Sequence, residues 1–367
     1  MRNLVVSTTS RMLRHWRGAR DASFRMPPEI PFGQATGTKP RIFYLSPDTT
    51  DASGGVRVIY RHVDLLNELG FDATVLHRRR AYRAHWFENQ TRVAASRDVV
   101  LASHDVLVVP EMYGANLGRL APGPRLVIFN QGPYHTFSGL SLDDAAKLRD
   151  MPVEAILTVS EDGLGLLRAA FANIPVHVVR SVIDGSTFHP PVTFEGRRRL
   201  AYFTSRRDVE RQQLLAMLGI RGHLADWELV AIEGMSEREV SEELRSCAIF
   251  LSFSQLDGFG LPPAEAMASG CYVIGFHGQG GREYFNAAYC QPIPDTDLLS
   301  FARAVEASAA AYESNPVEFS RTGLAASAAV LERYCADGLR EDLRTFYGGL
   351  GPEPRSDTSS ADANAAL

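Results

Sequence analysis

The chain has 367 residues, 45% of them hydrophobic and 22% charged, with a formal net charge of −5 and a mean hydropathy of −0.12. That length exceeds one ordinary core and predicts two domains, while the acidic balance argues against a nucleic-acid-binding protein. No apolar run reaches the roughly 18 residues that a membrane-spanning helix needs. The four cysteines, Cys247, Cys271, Cys290 and Cys335, have no CxxC spacing and fall in apolar or helical contexts. They are expected to be reduced thiols of a cytoplasmic protein, neither a disulfide framework nor a zinc site.

Residues 1–38 are read as a flexible leader. Arg2, Arg11, Arg14, Arg17, Arg20 and Arg25 stand against only Asp21 and Glu29, and no continuous apolar core marks a signal peptide. Val5, Val6, Met12, Leu13 and Trp16 would give a basic helix one short apolar face. Two readings follow: peripheral contact with an anionic membrane on its inner face, or a frayed leader. Pro27, Pro28, Pro31 and Pro40, with Gly33 and Gly37, mark a linker.

From Arg41 a strand–helix rhythm begins. Short, nearly all-apolar segments at 41–47, 73–77, 106–110, 126–130, 155–159 and 176–179 suit strands buried on both faces of a parallel sheet. Val56, Ile59, Val63, Leu66 and Leu69 recur at helical spacing until Gly70, and Ser160 is placed to cap the helix that follows it. Residues 181–199, with two prolines, glycines and charge, interrupt the rhythm as an interdomain linker. It restarts with strands at 200–204, 227–232, 248–252 and 272–275, and helices near 209–218, 237–246, 262–268 and 281–285. Two Ala-rich helices (295–313 and 316–334), a last helix (337–346) and a Ser/Asp/Ala/Pro-rich tail (351–367), read as disordered, close the chain. The expected architecture is α/β: two doubly wound, Rossmann-like domains at 39–185 and 186–335. A C-terminal helix at 336–350 would return to the first, and a ligand cleft would lie beyond the C-terminal strand ends.

Three turns carry chemistry. Asp51-Ala52-Ser53-Gly54-Gly55-Val56 joins the first strand to the first helix. Its glycines permit close backbone approach and its helix start favours an anion, although a tight turn alone would also use glycine. Arg57 is either an added positive charge there or a solvated side chain. Arg206, Arg207 and Arg211 follow the first strand of the second domain. At that position the forked guanidinium would face the cleft and match phosphate oxygens; otherwise the three form a solvated loop. Most specific is Asp257-Gly258-Phe259-Gly260-Leu261-Pro262-Pro263-Ala264-Glu265. It is a glycine turn feeding a helix, with carboxylates on both sides and prolines where missing N–H groups cost little. Phosphate at the turn and hydroxyls at the carboxylates together indicate a nucleotide-sugar.

The stretch from Asp257 to Gly270 resembles the E-x7-E signature of the retaining glycosyltransferases of family 4, which have the GT-B fold. Gly54–Gly70, Thr158–Leu167, Val176–Pro190 and Gly275–Phe285 are similar to other segments of that family, so the resemblance spans roughly 41–347. It implies that Glu265 holds the donor ribose and that Gly258, Phe259, Gly260 and Leu261 contact the transferred sugar and phosphate through their amides. Arg206 would be the phosphate arginine. Arg211, at the usual five-residue spacing, or Arg207, in the adjacent variant, would replace the partner lysine. Gly55, with Gly54, would approach the diphosphate. Asp257 stands where the family usually has Glu, which shortens the reach to a sugar hydroxyl. His135 lies near where the family often has a histidine beside the donor sugar, and a backbone-bonded loop histidine is the other reading.

His77–Arg80, Arg83 and His85 lie on the acceptor side, where they would meet an anionic or lipid-linked acceptor or simply be solvated. The implied activity is a hexosyl- or deoxyhexosyltransferase of surface polysaccharide biosynthesis. The resemblance implies no metal, and Asp295-Thr296-Asp297 reads as a helix start rather than a strand end. A nucleotide-sugar epimerase or hydrolase of the same fold, or a non-catalytic sugar-nucleotide-binding protein, are the alternatives.

Overall fold

The computed structural model describes residues 26–350, apart from 35, 36, 38, 121, 122, 138, 139, 194 and 195. The arginine-rich stretch 1–25 and the tail 351–367 lie outside the described residues.

In chain order the elements are β1 (Arg41–Leu45), α1 (Gly54–Glu68), β2 (Asp72–His77), β3 (Val93–Ala95), β4 (Val106–Pro110), β5 (Arg125–Asn130), α2 (Leu142–Arg149), β6 (Ala155–Thr158), α3 (Glu161–Ala170) and β7 (Val176–Val178). The second half adds β8 (Arg199–Phe203), α4 (Asp208–Arg221), β9 (Glu228–Ile232), α5 (Glu237–Ser246), β10 (Ile249–Asp257), α6 (Leu261–Ala268), β11 (Tyr272–Gln279) and β12 (Gln291–Pro292). It ends with α7 (Leu298–Ser314), α8 (Pro316–Arg333) and α9 (Ala336–Gly349).

β1–β7 form one parallel sheet in the order β3-β2-β1-β4-β5-β6-β7, and β8–β12 a second in the order β12-β11-β10-β8-β9. The strands read from the sequence lie in these sheets; β1, β2, β4, β5 and β6 are buried almost throughout, whereas β7 and β9, at sheet edges, are partly exposed. β10 and β11 run well past their apolar cores to Asp257 and Gln279. Their register slips between Ser254 and Asp257, and Leu256 takes a left-handed φ of 51° there. The helix expected near 281–285 is a 3₁₀ turn, Gly280–Glu283. Pro31 and Gly33 bond to Leu101 through an isolated parallel bridge, which ties the segment before β1 to the loop that leads into β4.

Topology decides where the site sits. In each sheet the order reverses once, between β1 and β4 and between β8 and β10, and the loops leaving such a pair part to leave a crevice. The turn Asp51–Val56 leaves β1, and Arg206 and Asp257 leave β8 and β10. α9 packs back on α1: Tyr347 lies 2.8 Å from Tyr44 across their hydroxyls, Asp342 receives Arg180, and Arg340 donates to Glu68.

Candidate functional site

Three loops meet between the sheets: Ser53–Gly55, Gln131–His135 and Asp257–Leu261. A Cβ at Gly258 would lie 2.0 Å from the Gln131 carbonyl oxygen, and one at Gly54 would lie 2.9 Å from Leu261 Cδ1. Gln131 Nε2 donates to the Gly55 carbonyl at 3.0 Å. Behind them, a Cβ at Gly280 would lie 2.0 Å from the Gly258 carbonyl oxygen, so Gln131, Gly258 and Gly280 stack backbone on backbone. Only glycine permits that approach.

The two helix starts differ. α1 is capped by Ser53, whose hydroxyl accepts from Val56 N. α6 has Gly260 at its N-cap with φ 88° and no capping side chain; Leu261 follows, and then Pro262 and Pro263, which carry no N–H. The amides left at this helix start, those of Gly260 and Leu261, have no side-chain cap where the helix dipole favours an anion. Tyr284 braces the turn from behind, its hydroxyl donating to the carbonyls of Gly260 at 2.5 Å and Phe259 at 3.1 Å.

Arg206 Nη2 lies 2.9 Å from Asp257 Oδ1. The arginine side chain is 51% exposed and the aspartate 12%, so Arg206 keeps a free side for another anion. Burial pushes the Asp257 carboxyl above its usual range, opposed by the nearby Arg206 cation, the Gln255 amide, Ser254 and His135. His135 ends the short 3₁₀ turn Pro133–His135 and is exposed.

The other two arginines are held by other partners. Arg211 is buried, donating to the carbonyls of Thr204 and Arg206 and pairing with Asp208 at 2.5 Å. It ties the β8–α4 turn to its helix, and the structure does not bring its guanidinium to the glycine turn. Arg207 lies over the Phe276 ring at 4.6 Å and pairs with Asp295 at 2.5 Å and Glu210 at 3.2 Å. It borders a cavity of ≈ 200 Å³ at the strand ends, lined also by Gln255, His277, Gln279 and Asp295. Of the Asp295-Thr296-Asp297 run, Asp297 caps α7 by accepting from Ser300 N at 3.0 Å.

Glu265, on α6, is 5% exposed and accepts from Arg57, which also donates to Glu237 on α5. Arg57 is thus neither solvated nor aimed at the turn, as the two sequence readings had it. Glu237, Gln131 and Glu111 were not singled out from the sequence. Glu111, at the end of β4, accepts from Gln131 N at 3.1 Å, and burial raises its carboxyl. A polar residue directly after an apolar strand, as at Glu111 and Gln131, was the available signal.

The basic loop after β2 is largely self-neutralised. Asp48 accepts from His77 Nδ1 at 3.0 Å and from the Arg79 amide at 2.8 Å, and Arg80 pairs with Asp98 at 2.6 Å. Cys247, Cys271 and Cys290 are free and buried. Among the described residues no group of three or more His, Cys, Asp or Glu side chains converges as a metal-holding set, and no helix is long and apolar enough to cross a membrane.

The family model described as glycosyl transferases group 1 matches residues 228–313, a stretch that contains the Asp257–Glu265 turn. An alpha-1,6-glucosyltransferase of Actinobacillus pleuropneumoniae serotype 7 is 27% identical over 239 residues, 62% of this chain and 69% of the relative. Among solved structures, a sucrose-phosphate synthase from Thermosynechococcus elongatus superposes with a TM-score of 0.64 at 11% identity, over 84% of this chain and 98% of that one. Anabaena Alr3699/HepE, solved in complex with UDP and glucose, superposes with a TM-score of 0.61 at 11% identity, over 85% of this chain and 100% of that one.

Proposed function

For a chain that is a glycosyltransferase with the GT-B fold, we propose the following activity. It moves a hexosyl or deoxyhexosyl group from a nucleotide-diphosphate-sugar to a glycan or lipid-linked acceptor, with retention and without a metal, in surface polysaccharide synthesis. The observation that carries this reading is the Arg206–Asp257 pair set before the uncapped start of α6, with Glu265 on the same helix. The Gly258–Leu261 amides and Arg206 would hold the diphosphate, Asp257 a sugar hydroxyl, and Glu265 the ribose.

As the bond from the anomeric carbon to the phosphate oxygen breaks, negative charge grows on the leaving phosphate, and Arg206 would take it up. The same phosphate would accept the acceptor hydroxyl's proton on the face where the new bond to carbon forms, which retains configuration. A preorganised donor of this kind accounts for about 10²–10³ in turnover. Arg207, already neutralised by two carboxylates, and Arg211, turned inward, leave that task to Arg206.

The relative's name and the UDP and glucose of the HepE complex make UDP-glucose the first donor to try. A thermal-shift panel of nucleotide-sugars should single out one donor, because a ligand that binds only the native state raises its melting temperature. NMR of the product should then show the donor's anomeric configuration. Inverted product, or full turnover in both Glu265→Ala and Arg206→Ala, would sink this reading.

A further inference from the structure

Arg57 stands on α1 of the first sheet's domain, and both carboxylates it holds stand on helices of the second, 180 and 208 residues away. One guanidinium nitrogen donates to Glu237 and another to Glu265 Oε1. The three side chains are 23%, 28% and 6% exposed, so the cluster is mostly shielded from water. One turn further along α1, Arg61 pairs with Asp184 of the linker segment at 2.9 Å. Burial and the neighbouring Glu265 push the Glu237 carboxyl up, while Arg57 draws it down: two carboxylates share one cation. At the other rim Arg282 pairs with Asp162 at 3.1 Å and Glu283 accepts from the Glu161 amide at 2.9 Å, so the domains are also joined away from Arg57.

Arg57 takes up part of the acceptor capacity of Glu265 Oε1, so a vicinal diol that draws on both carboxylate oxygens competes with it. We propose that Arg57 is an internal competitor for the donor's ribose, holding Glu265 until a 2′,3′-diol displaces it. The proposal rests on the assignment of Glu265 to the ribose. Its consequence is a cost that only a ribonucleotide meets: a nucleotide whose two hydroxyls replace the ion pair must release Arg57, and a deoxy or acyclic anion at the glycine turn leaves the latch shut. Glu237 would retain the freed guanidinium, so no uncompensated buried cation remains.

The test is a calorimetric titration of uridine diphosphate and 2′,3′-dideoxyuridine diphosphate into the full chain and its Arg57→Ala, Arg57→Lys and Glu265→Gln variants, each first checked by its melting curve. The matching adenosine and guanosine pairs serve if uridine does not bind, because the base takes no part in the latch. Arg57→Ala should bind the ribonucleotide about tenfold more tightly, the scale of one partly buried ion pair, while the dideoxy form changes less than about twofold. Arg57→Lys should fall between, since an ammonium cannot fork to two carboxylates. Weaker ribonucleotide binding in Arg57→Ala, or equal tightening of both probes, overturns the proposal. A wild type that binds both probes alike, with no change in Glu265→Gln, instead overturns the ribose assignment.

Discussion

Two glycine turns face each other across the junction, and they differ in how the helix behind each is finished. The Ser53–Gly55 turn is closed by its own chemistry: Ser53 caps α1, Gln131 binds the Gly55 carbonyl, and Gly54 touches only the tip of Leu261. The Gly258–Leu261 turn has no cap, keeps a half-exposed arginine in front of it and is wedged between two other backbones. Glycine in the first turn supplies tight geometry and close approach. In the second it also leaves open the donors that an anion needs.

The hardest strain on that contrast is an added methyl. Gly258→Ala places carbon 2.0 Å from the Gln131 carbonyl, a backbone atom of the opposite domain, so the two loops must separate. Transfer should fall below about 1% of wild type and stability by about 1–3 kcal/mol. Gly54→Ala meets a leucine methyl that can rotate away, and should keep turnover within about tenfold. Initial rates and melting curves decide; equal losses in the two variants would erase the distinction between the turns.

Arginine identity sharpens the second turn. Arg206→Ala should lower turnover about 10²–10³-fold with little change in melting temperature, because its side chain is half exposed. Arg211→Ala should do the reverse, costing about 1–3 kcal/mol by stranding two carbonyls, with turnover of the folded fraction largely kept. Denaturant titration beside single-donor kinetics separates them, and a swapped pattern would return the phosphate role to Arg211.

Asp257 allows a pH-resolved version of the same argument. Its folded-state carboxyl titrates above the ordinary range because burial outweighs Arg206, so the folded chain binds that proton more tightly than the unfolded chain does. Stability from this group is therefore present at acid pH and lost as pH rises from the unfolded pKa of about 3.9 through the raised folded value. Asp257→Asn should thus be the more stable protein at pH 7, lose that advantage below about pH 4, and yet transfer sugar poorly. An asparagine variant less stable at pH 7 would mean that the Arg206 ion pair, and not burial, dominates.

How much of this was readable beforehand depended on the range of the interactions. The buried strands were legible because apolar, β-branched runs report burial locally, and the turn residues because they cluster within nine positions. β3 and β12 are three and two residues long, at sheet edges, and α2 buries only Leu148 among polar residues, so no periodic signal marked them. Arg57 could not be assigned because its partners are 180 and 208 residues away. Arg211 sits at the spacing the resemblance asks of it, yet spacing along a helix does not say which way a side chain turns. Here the carbonyls of Thr204 and Arg206 claim it.

The smallest expected effect tests the quieter turn. Ser53→Ala removes the cap from α1 and frees the Val56 amide, which makes the first turn chemically more like the second. If amide availability alone made a phosphate site, the variant would bind the nucleoside diphosphate more tightly. The expectation here is different: α1 should lose about 1 kcal/mol, melting should drop by a few degrees, and nucleotide affinity should stay within about threefold. The reason is that the first turn has no counterpart of Arg206. Its nearest cation, Arg57, is committed to Glu237 and Glu265. An uncapped helix end adds only partial charges, whereas an exposed guanidinium adds a whole one. Differential scanning fluorimetry with and without nucleotide distinguishes these outcomes, and tighter binding in Ser53→Ala would show that capping, and not the arginine, is what separates the two turns.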